Sequence, residues 1–378
     1  MLAAAILTGE VFEQLRLPSV AGELLSGLIL GPTILNVVST NDQVQAISSL
    51  ALFFIIFLIG FEMDTDMVRK HILHGILLSD TAFIIPMLAG LALCLLLLPF
   101  GAAPDFVVAM TIAVPSISII SVLVMQYNLL EKETGRVILS TVTVTDVVAF
   151  VLLVAISQPL RSTLSVVVYT GILIVAFIAV DWVLNYRPNA FRRAVEKAGR
   201  LVRREDMSYA VLILVGLFVA GLFQAIGLSY IIGAFFAGLI MHDGLIGRKA
   251  FQEISTTFTR INRALFIPLF FGLAGLEADL SASQFGYVPK LAVVVAVTLA
   301  LSIGLTYFAV KNVVRVKERD GARQIAVTLG GRGAVGIVIA SVALSSGVID
   351  GLAYSLIIVG TLAVSLVVPL LLGRKQDG

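Results

Sequence analysis

Apolar runs long enough to cross a lipid bilayer recur along almost the whole chain, and no other feature restricts its folding so severely. They fall at roughly 1–15, 17–31, 44–63, 73–98, 106–127, 134–157, 161–184, 208–226, 228–242, 258–276, 288–310, 323–346 and 351–373, about thirteen in all. Several exceed the ~20 residues that a spanning helix needs. Hydrocarbon offers the backbone no water, so each run must satisfy its own hydrogen bonds, which a helix does. Composition agrees: 59% of residues are hydrophobic and 13% charged, with a mean hydropathy of +1.04. A soluble domain carries about 25% charged residues. The expected class is therefore an all-α integral membrane protein of about 13 transmembrane helices.

Charge placement orders these helices. Of the 26 Lys+Arg, all except Arg161, Lys290 and Arg332 fall in alternate loops, Arg69 and Lys70 in one and Arg187 to Arg204 in another. Basic loops stay on the cytoplasmic side. The expected topology has the N-terminus out and the C-terminus in, in a multi-pass protein of the cell (inner) membrane. The first run lacks a basic leader, which argues against a cleaved signal peptide. Cys94 is the single cysteine, so no internal disulfide forms.

The chain also repeats itself. Leu17–Leu30 (LPSVAGELLSGLIL) aligns with Leu228–Met241 (LSYIIGAFFAGLIM), Gly60–Asp64 (GFEMD) with Gly275–Asp279 (GLEAD), and Thr111–Ser116 (TIAVPS) with Thr328–Gly333 (TLGGRG). The offsets drift slowly, as small loop changes would make them. Repeat 1 covers about 1–157, 161–184 is a linker helix, 185–206 a basic cytoplasmic loop, and repeat 2 about 208–373. An odd linker inverts the second copy, the pattern of secondary transporters. In the third matched pair both helices should break, around Pro115 and around Gly330-Gly331 with Gly333. Proline removes a donor and glycine lowers helix stability. Matched breaks point to a transport site.

Asp146 lies alone within Ile138–Val154 (ILSTVTVTDVVAFVLLV), near the expected midplane. A charge at that depth costs at least ~2.5–3.5 kcal/mol, so such residues mark ion or proton pathways. A carboxylate there can hold either a proton or a small cation. Thr145 and Ser116 are the hydroxyls best placed to support it, with Ser140, Thr141, Thr143 and Ser118 behind them. Oxygen donors of this kind suit Na⁺ or another monovalent cation, whereas imidazole and thiolate suit transition metals. Arg332 is a permanent charge inside the membrane, expected to pin the broken helices through their carbonyls. Glu23 and Glu62 are candidates for a proton funnel, with a helix N-terminal charge as the alternative for Glu23 and interfacial solvation for Glu62. Glu277, Asp64 and Asp279 are read as solvated span ends, as are His71, His74 and His242.

No phosphate loop, dinucleotide fingerprint or zinc spacing occurs, so neither an enzyme nor a nucleic-acid partner is expected. A channel would need a continuous polar lining, and an intramembrane aspartyl hydrolase a second aspartate at the same depth. Asp80 and Asp181 lie near span ends. Transport remains.

The stretch Leu17–Pro32 (LPSVAGELLSGLILGP) resembles the opening signature of the monovalent cation:proton antiporter superfamily, second branch. Phe57–Asp64 (FLIGFEMD), Ile232–Gly238 (IGAFFAG), Pro268–Phe271 (PLFF) and Arg332–Gly336 (RGAVG) follow in order. The resemblance covers essentially the whole chain. It implies an inverted-repeat fold with two crossing broken helices, a homodimer, and elevator-type movement of a core against a scaffold. Projected here, the core is 44–157 and 258–373, and the dimer and scaffold part is 1–31 and 161–242. It also matches Asp146 to the family's cation- and proton-binding aspartate.

Where electrogenic relatives carry Asp-Asp, this chain has Thr145-Asp146, and Leu265 to Leu276 lacks their buried lysine. The family's frequent Glu after Arg-Gly is Ala334. One titratable carboxylate remains, which predicts electroneutral sodium/proton exchange, with a potassium/proton or potassium-efflux system as the alternative. No cofactor is expected beyond the transported Na⁺, Li⁺ or K⁺ and H⁺, and the other partner is membrane lipid.

Overall fold

Prolines and glycines decide where the helices of this chain start, stop and change winding. The structure, a computed structural model, describes residues 1–15, 17–38, 41–61, 75–116, 119–120, 123–124, 127, 129, 132–157, 205–225, 230–240, 248–279, 286–316, 318 and 320–372. Its elements are α1 (Leu2–Gln14), α2 (Ser19–Leu30), α3 (Asp42–Phe61), α4 (Gly75–Leu97), α5 (Ala102–Ala113) and α6 (Glu133–Ser157). There follow α7 (Glu205–Ala225), α8 (Tyr230–Ile240), α9 (Arg248–Ile261), α10 (Ile267–Glu277) and α11 (Val288–Ala309). The last are α12 (Gly321–Thr328), α13 (Ala334–Ser345) and α14 (Gly351–Leu372). Among the described residues, α3, α4, α11 with its extension to Val314, and α14 are long and apolar enough to cross a membrane.

Pro18 caps α2 with its fixed φ of −61°, and the α2 backbone turns extended at Gly31, just before Pro32. Inside α4, residues Asp80–Ile84 wind as a π-turn two residues ahead of Pro86. Residues Asn262–Phe266, between α9 and α10, do the same ahead of Pro268. Proline cannot donate to the carbonyl four residues back and its ring presses on it; a wider turn relieves that clash.

The chain divides into two compact units. The first comprises Met1–Val44, Asp64–Leu153 and Pro268–Gly378. Its helices approach through residues with little or no side chain. A Cβ on Gly27 would fall on the Gly272 carbonyl of α10, and one on Gly275 would fall on the Leu24 carbonyl of α2. Such contacts let backbones meet where no hydrophobic effect drives association. Gly27→Ala is therefore expected to lower stability by about 1–3 kcal/mol through overpacking, read as a fall in melting temperature in detergent; an unchanged melting temperature would mean that α2 and α10 part freely. A second cluster joins Leu78 of α4 and Val137, Ile138 and Val142 of α6 to Ile325 of α12, which holds α6 against α4.

The second unit comprises Gln45–Met63 and Val154–Ile267. Phenylalanines organise it: Phe54 stacks on Phe266 at 4.4 Å and Phe61 on Phe251 at 4.6 Å between ring centres. Gly238 of α8 meets the Phe57 backbone and Gly216 of α7 its ring. In this division by close packing, α1 and α2 group with α4 to α6, and α3 with α7 to α9. The core and scaffold expected from sequence are a division by movement, which is a different property. The linker helix 161–184 and the basic loop up to 204 lie outside the described residues.

Candidate ion-binding site

Helix α5 stops at Ala113 because Val114 precedes Pro115. A residue before proline is pushed out of the helical region, and Val114 has φ −71° and ψ 123°. Helix α12 stops at Thr328, and its chain tightens through bonds from Gly330 N to the Val327 carbonyl (3.0 Å) and Gly331 N to the Thr328 carbonyl (2.9 Å). The two non-helical segments meet. Ser116 N donates to the Gly331 carbonyl at 2.9 Å, and Val335 N, in the first turn of α13, donates to Ser116 Oγ at 3.4 Å. A Cβ on Gly336 would sit 2.6 Å from the Thr111 carbonyl, so the start of α13 lies against the end of α5. Pro115, Ser116, Gly331 and Gly333 are buried where these two non-helical segments meet, with Gly330 beside them.

Arg332 leaves that meeting point and reaches α4. Its side chain is 1% exposed. Nη1 donates to the Leu329 carbonyl at 3.0 Å, and Nη2 to Ser302 Oγ of α11 at 2.7 Å and to the Ala82 carbonyl at 3.2 Å. Ser302 Oγ also donates to the Ala82 carbonyl at 2.8 Å. Ala82 lies four residues before Pro86, so its ordinary helical donor does not exist. The guanidinium and the Ser302 hydroxyl replace it. Ser365 of α14 donates to the Arg332 carbonyl at 3.2 Å, tying a further helix to the same residue. All the side-chain partners of Arg332 among the described residues are neutral oxygens.

Asp146 is 4% exposed on α6, and its Oδ1 has no hydrogen-bond partner among the described residues. Thr145, its neighbour, points about 100° around the helix, as successive helical residues do. The Thr145 hydroxyl donates to the Thr141 carbonyl at 2.8 Å and meets Ser79 Oγ of α4 at 3.2 Å. Among the described residues no hydrogen bond joins Asp146 to Thr145 or to Arg332. Ser140, Thr141 and Thr143 bond carbonyls one turn back in their own helix, the usual fate of a helical hydroxyl. Ser118 lies outside the described residues.

Sequence reasoning did not single out Ser79 or Ser302. The available signal was Pro86, which marks the Ala82 carbonyl as needing a donor from elsewhere. Glu23 is 3% exposed in α2, where Gly9 of α1 leaves room for it, and its Oε2 has no partner among the described residues. Glu277 is half-buried and Asp279 exposed at the end of α10. Glu62, Asp64, His71, His74 and His242 lie outside the described residues. Among the described residues no three His, Cys, Asp or Glu side chains gather to hold a metal ion. The donors at hand are carboxylate, hydroxyl and carbonyl oxygens, the ligands of hard cations.

A solved structure of the sodium proton antiporter MjNhaP1 from Methanocaldococcus jannaschii superposes with a TM-score of 0.66 at 17% identity, covering 98% of this chain and 93% of that one. The all-helical membrane fold is the same. Among characterised sequences, a Na⁺/H⁺ antiporter of Enterococcus hirae is 24% identical over 98% of this chain and 95% of its own length. The K⁺/H⁺ antiporter 1 of Saccharomyces cerevisiae is 24% identical over 90% of this chain and 41% of its own length. These relatives are transporters, not enzymes. The transmembrane sodium/hydrogen exchanger family matches residues 1–374. An all-helical, multi-pass membrane chain matched over nearly its whole length belongs to the sodium/hydrogen exchanger family.

Proposed function

We propose that this chain exchanges a monovalent cation, Na⁺ in the first instance, for a proton across the membrane, with both competing for Asp146. The observation that carries the reading is a buried carboxylate whose Oδ1 has no partner among the described residues. Leaving such a group charged and empty is expensive. A proton or a small cation relieves the expense, and only one of them can do so at a time. Ser116 and Thr145 support the cation. The breaks at Pro115 and at Gly330, Gly331 and Gly333 set two crossing helix ends beside the path, and Arg332 holds them in register.

In the same reading the two repeats are inverted, the termini lie with N out and C in, and a homodimer works by elevator-type alternating access. Glu23 and Glu62 form the approach for protons. Exchange is electroneutral, because Asp–H and Asp⁻·Na⁺ have the same net charge and Thr145 cannot titrate. A net transported charge would feel ~2.3 kcal/mol per 100 mV.

The test is a pH-gradient assay in proteoliposomes with Na⁺, Li⁺ or K⁺ added in turn, repeated under an imposed membrane potential. Proton movement that requires one of these cations and ignores voltage is the expected result. Without cation dependence the exchange reading fails. Sustained current on a solid-supported membrane would overturn electroneutrality alone and direct attention to Glu23 and Glu62. Because the relatives include a K⁺/H⁺ antiporter, K⁺ in place of Na⁺ is the second reading, and the same assay decides it.

A further inference from the structure

Helices α11 and α14 enclose an elongated apolar groove of about 410 Å³ in the first unit. Its shape follows from side-chain size. Ala292, Ala296 and Ala300 form a row along α11, and Gly360 and Ala363 face it from α14. A Cβ on Gly360 would sit 3.3 Å from Val295 Cγ2, so the helices are in contact at the bottom and open above the alanines. Beneath, Val364, Leu299 and Ile303 pack on Leu123 and Val327, which gives the groove a solid floor. From Val288 to Ile303 the α11 wall runs about 22 Å at 1.5 Å per residue, against ~15 Å for one leaflet's half of the hydrocarbon core.

One end of the groove is cationic. Leu371 lines that end, and its carbonyl accepts from Arg323 Nη2 at 3.2 Å. Arg323 is exposed. A guanidinium has five N–H donors, so others remain for a second ligand. Lys311, about two turns beyond Ile303 on the extension of α11, is also exposed, and its Nζ stands 5.7 Å from the Tyr307 ring centre. An apolar trough of acyl-chain length with an exposed arginine at its end and a lysine on the extension of α11 has the chemistry of a phospholipid seat.

We propose that this groove binds an anionic glycerophospholipid, one acyl chain along the alanine row and the phosphate at Arg323 and Lys311. The inference is independent of the transport reading. It is tested by native mass spectrometry of the purified full chain in detergent with equal amounts of phosphatidylglycerol and phosphatidylcholine of matched chains. The wild type should retain the anionic lipid about fivefold over the zwitterionic one per engaged cation. Arg323→Gln should reduce that preference about fivefold, while Arg323→Lys keeps it. Ala296→Phe, which fills an exposed part of the trough, should remove the retained lipid of either kind.

Equal retention of both lipids by the wild type would overturn the proposal. So would a wild-type preference in Arg323→Gln, or undiminished lipid in Ala296→Phe. A fall in oligomeric mass in Ala296→Phe would instead make the groove a contact between copies of the chain, and would overturn it too.

Discussion

Asp146→Asn should reduce cation-dependent proton movement in proteoliposomes to the level of empty vesicles while the protein remains folded. Asparagine has the size of aspartate, but it can neither take up a proton nor neutralise a cation. The fold should tolerate it. Oδ1 of Asp146 has no partner among the described residues, so the change breaks no hydrogen bond there. The amide brings N–H donors into a site where that carboxyl oxygen had no partner among the described residues, at an expected cost of about 1–3 kcal/mol. Two measurements on one preparation decide the matter: the melting temperature in detergent, and fluorescence of a trapped pH dye after a Na⁺ pulse. Near-normal exchange with a normal melting temperature would remove Asp146 from the mechanism. Lost exchange together with a lost melting transition would assign the residue to the fold instead.

Arg332→Ala is expected to have the opposite profile, a large loss of stability with a small change in apparent ion affinity. The guanidinium makes three charge-assisted bonds, to the Leu329 carbonyl, the Ala82 carbonyl and Ser302 Oγ. Each such bond contributes about 1.5–3 kcal/mol. Removing a buried charge recovers part of its desolvation cost, so the net loss should be about 2–4 kcal/mol. Arg332→Met separates the contributions, since it fills most of the volume and supplies no donor. Arg332→Lys should rescue only in part, because a single ammonium cannot span Leu329 and Ser302 as a planar fork does. An intact melting temperature with a large shift in cation affinity would move Arg332 from the support of these helix ends to the ion itself.

The class of fold was legible because its cause is local. A run such as Val288–Ala309 must be a helix wherever it lies, and the all-helical membrane architecture follows from many such runs. Partners are a different matter. Ser302 serves the Ala82 carbonyl across 220 positions of chain, and nothing in the pattern around Ser302 says which turn of α4 it will cross. Pro86 announces a carbonyl in need but not who supplies the donor. The neighbours Thr145 and Asp146 illustrate a second reason. Adjacent in sequence, they point to different sides of α6, and the threonine hydroxyl goes to Thr141 and Ser79. Adjacency along a helix is a poor guide to adjacency in space, since residues three or four apart share a face.

The glycine contacts between α2 and α10 have a mechanical consequence. Helices usually lock by setting ridges of side chains into grooves, and those ridges resist axial shift as well as separation. Here Gly27 and Gly275 present bare backbone to the Gly272 and Leu24 carbonyls of the facing helix. Such a seam resists compression sharply, because no soft side chain can yield. Along the axis it has only the shallow corrugation of the main chain. The stiffness is therefore anisotropic, high across the seam and low along it, in the manner of a bearing.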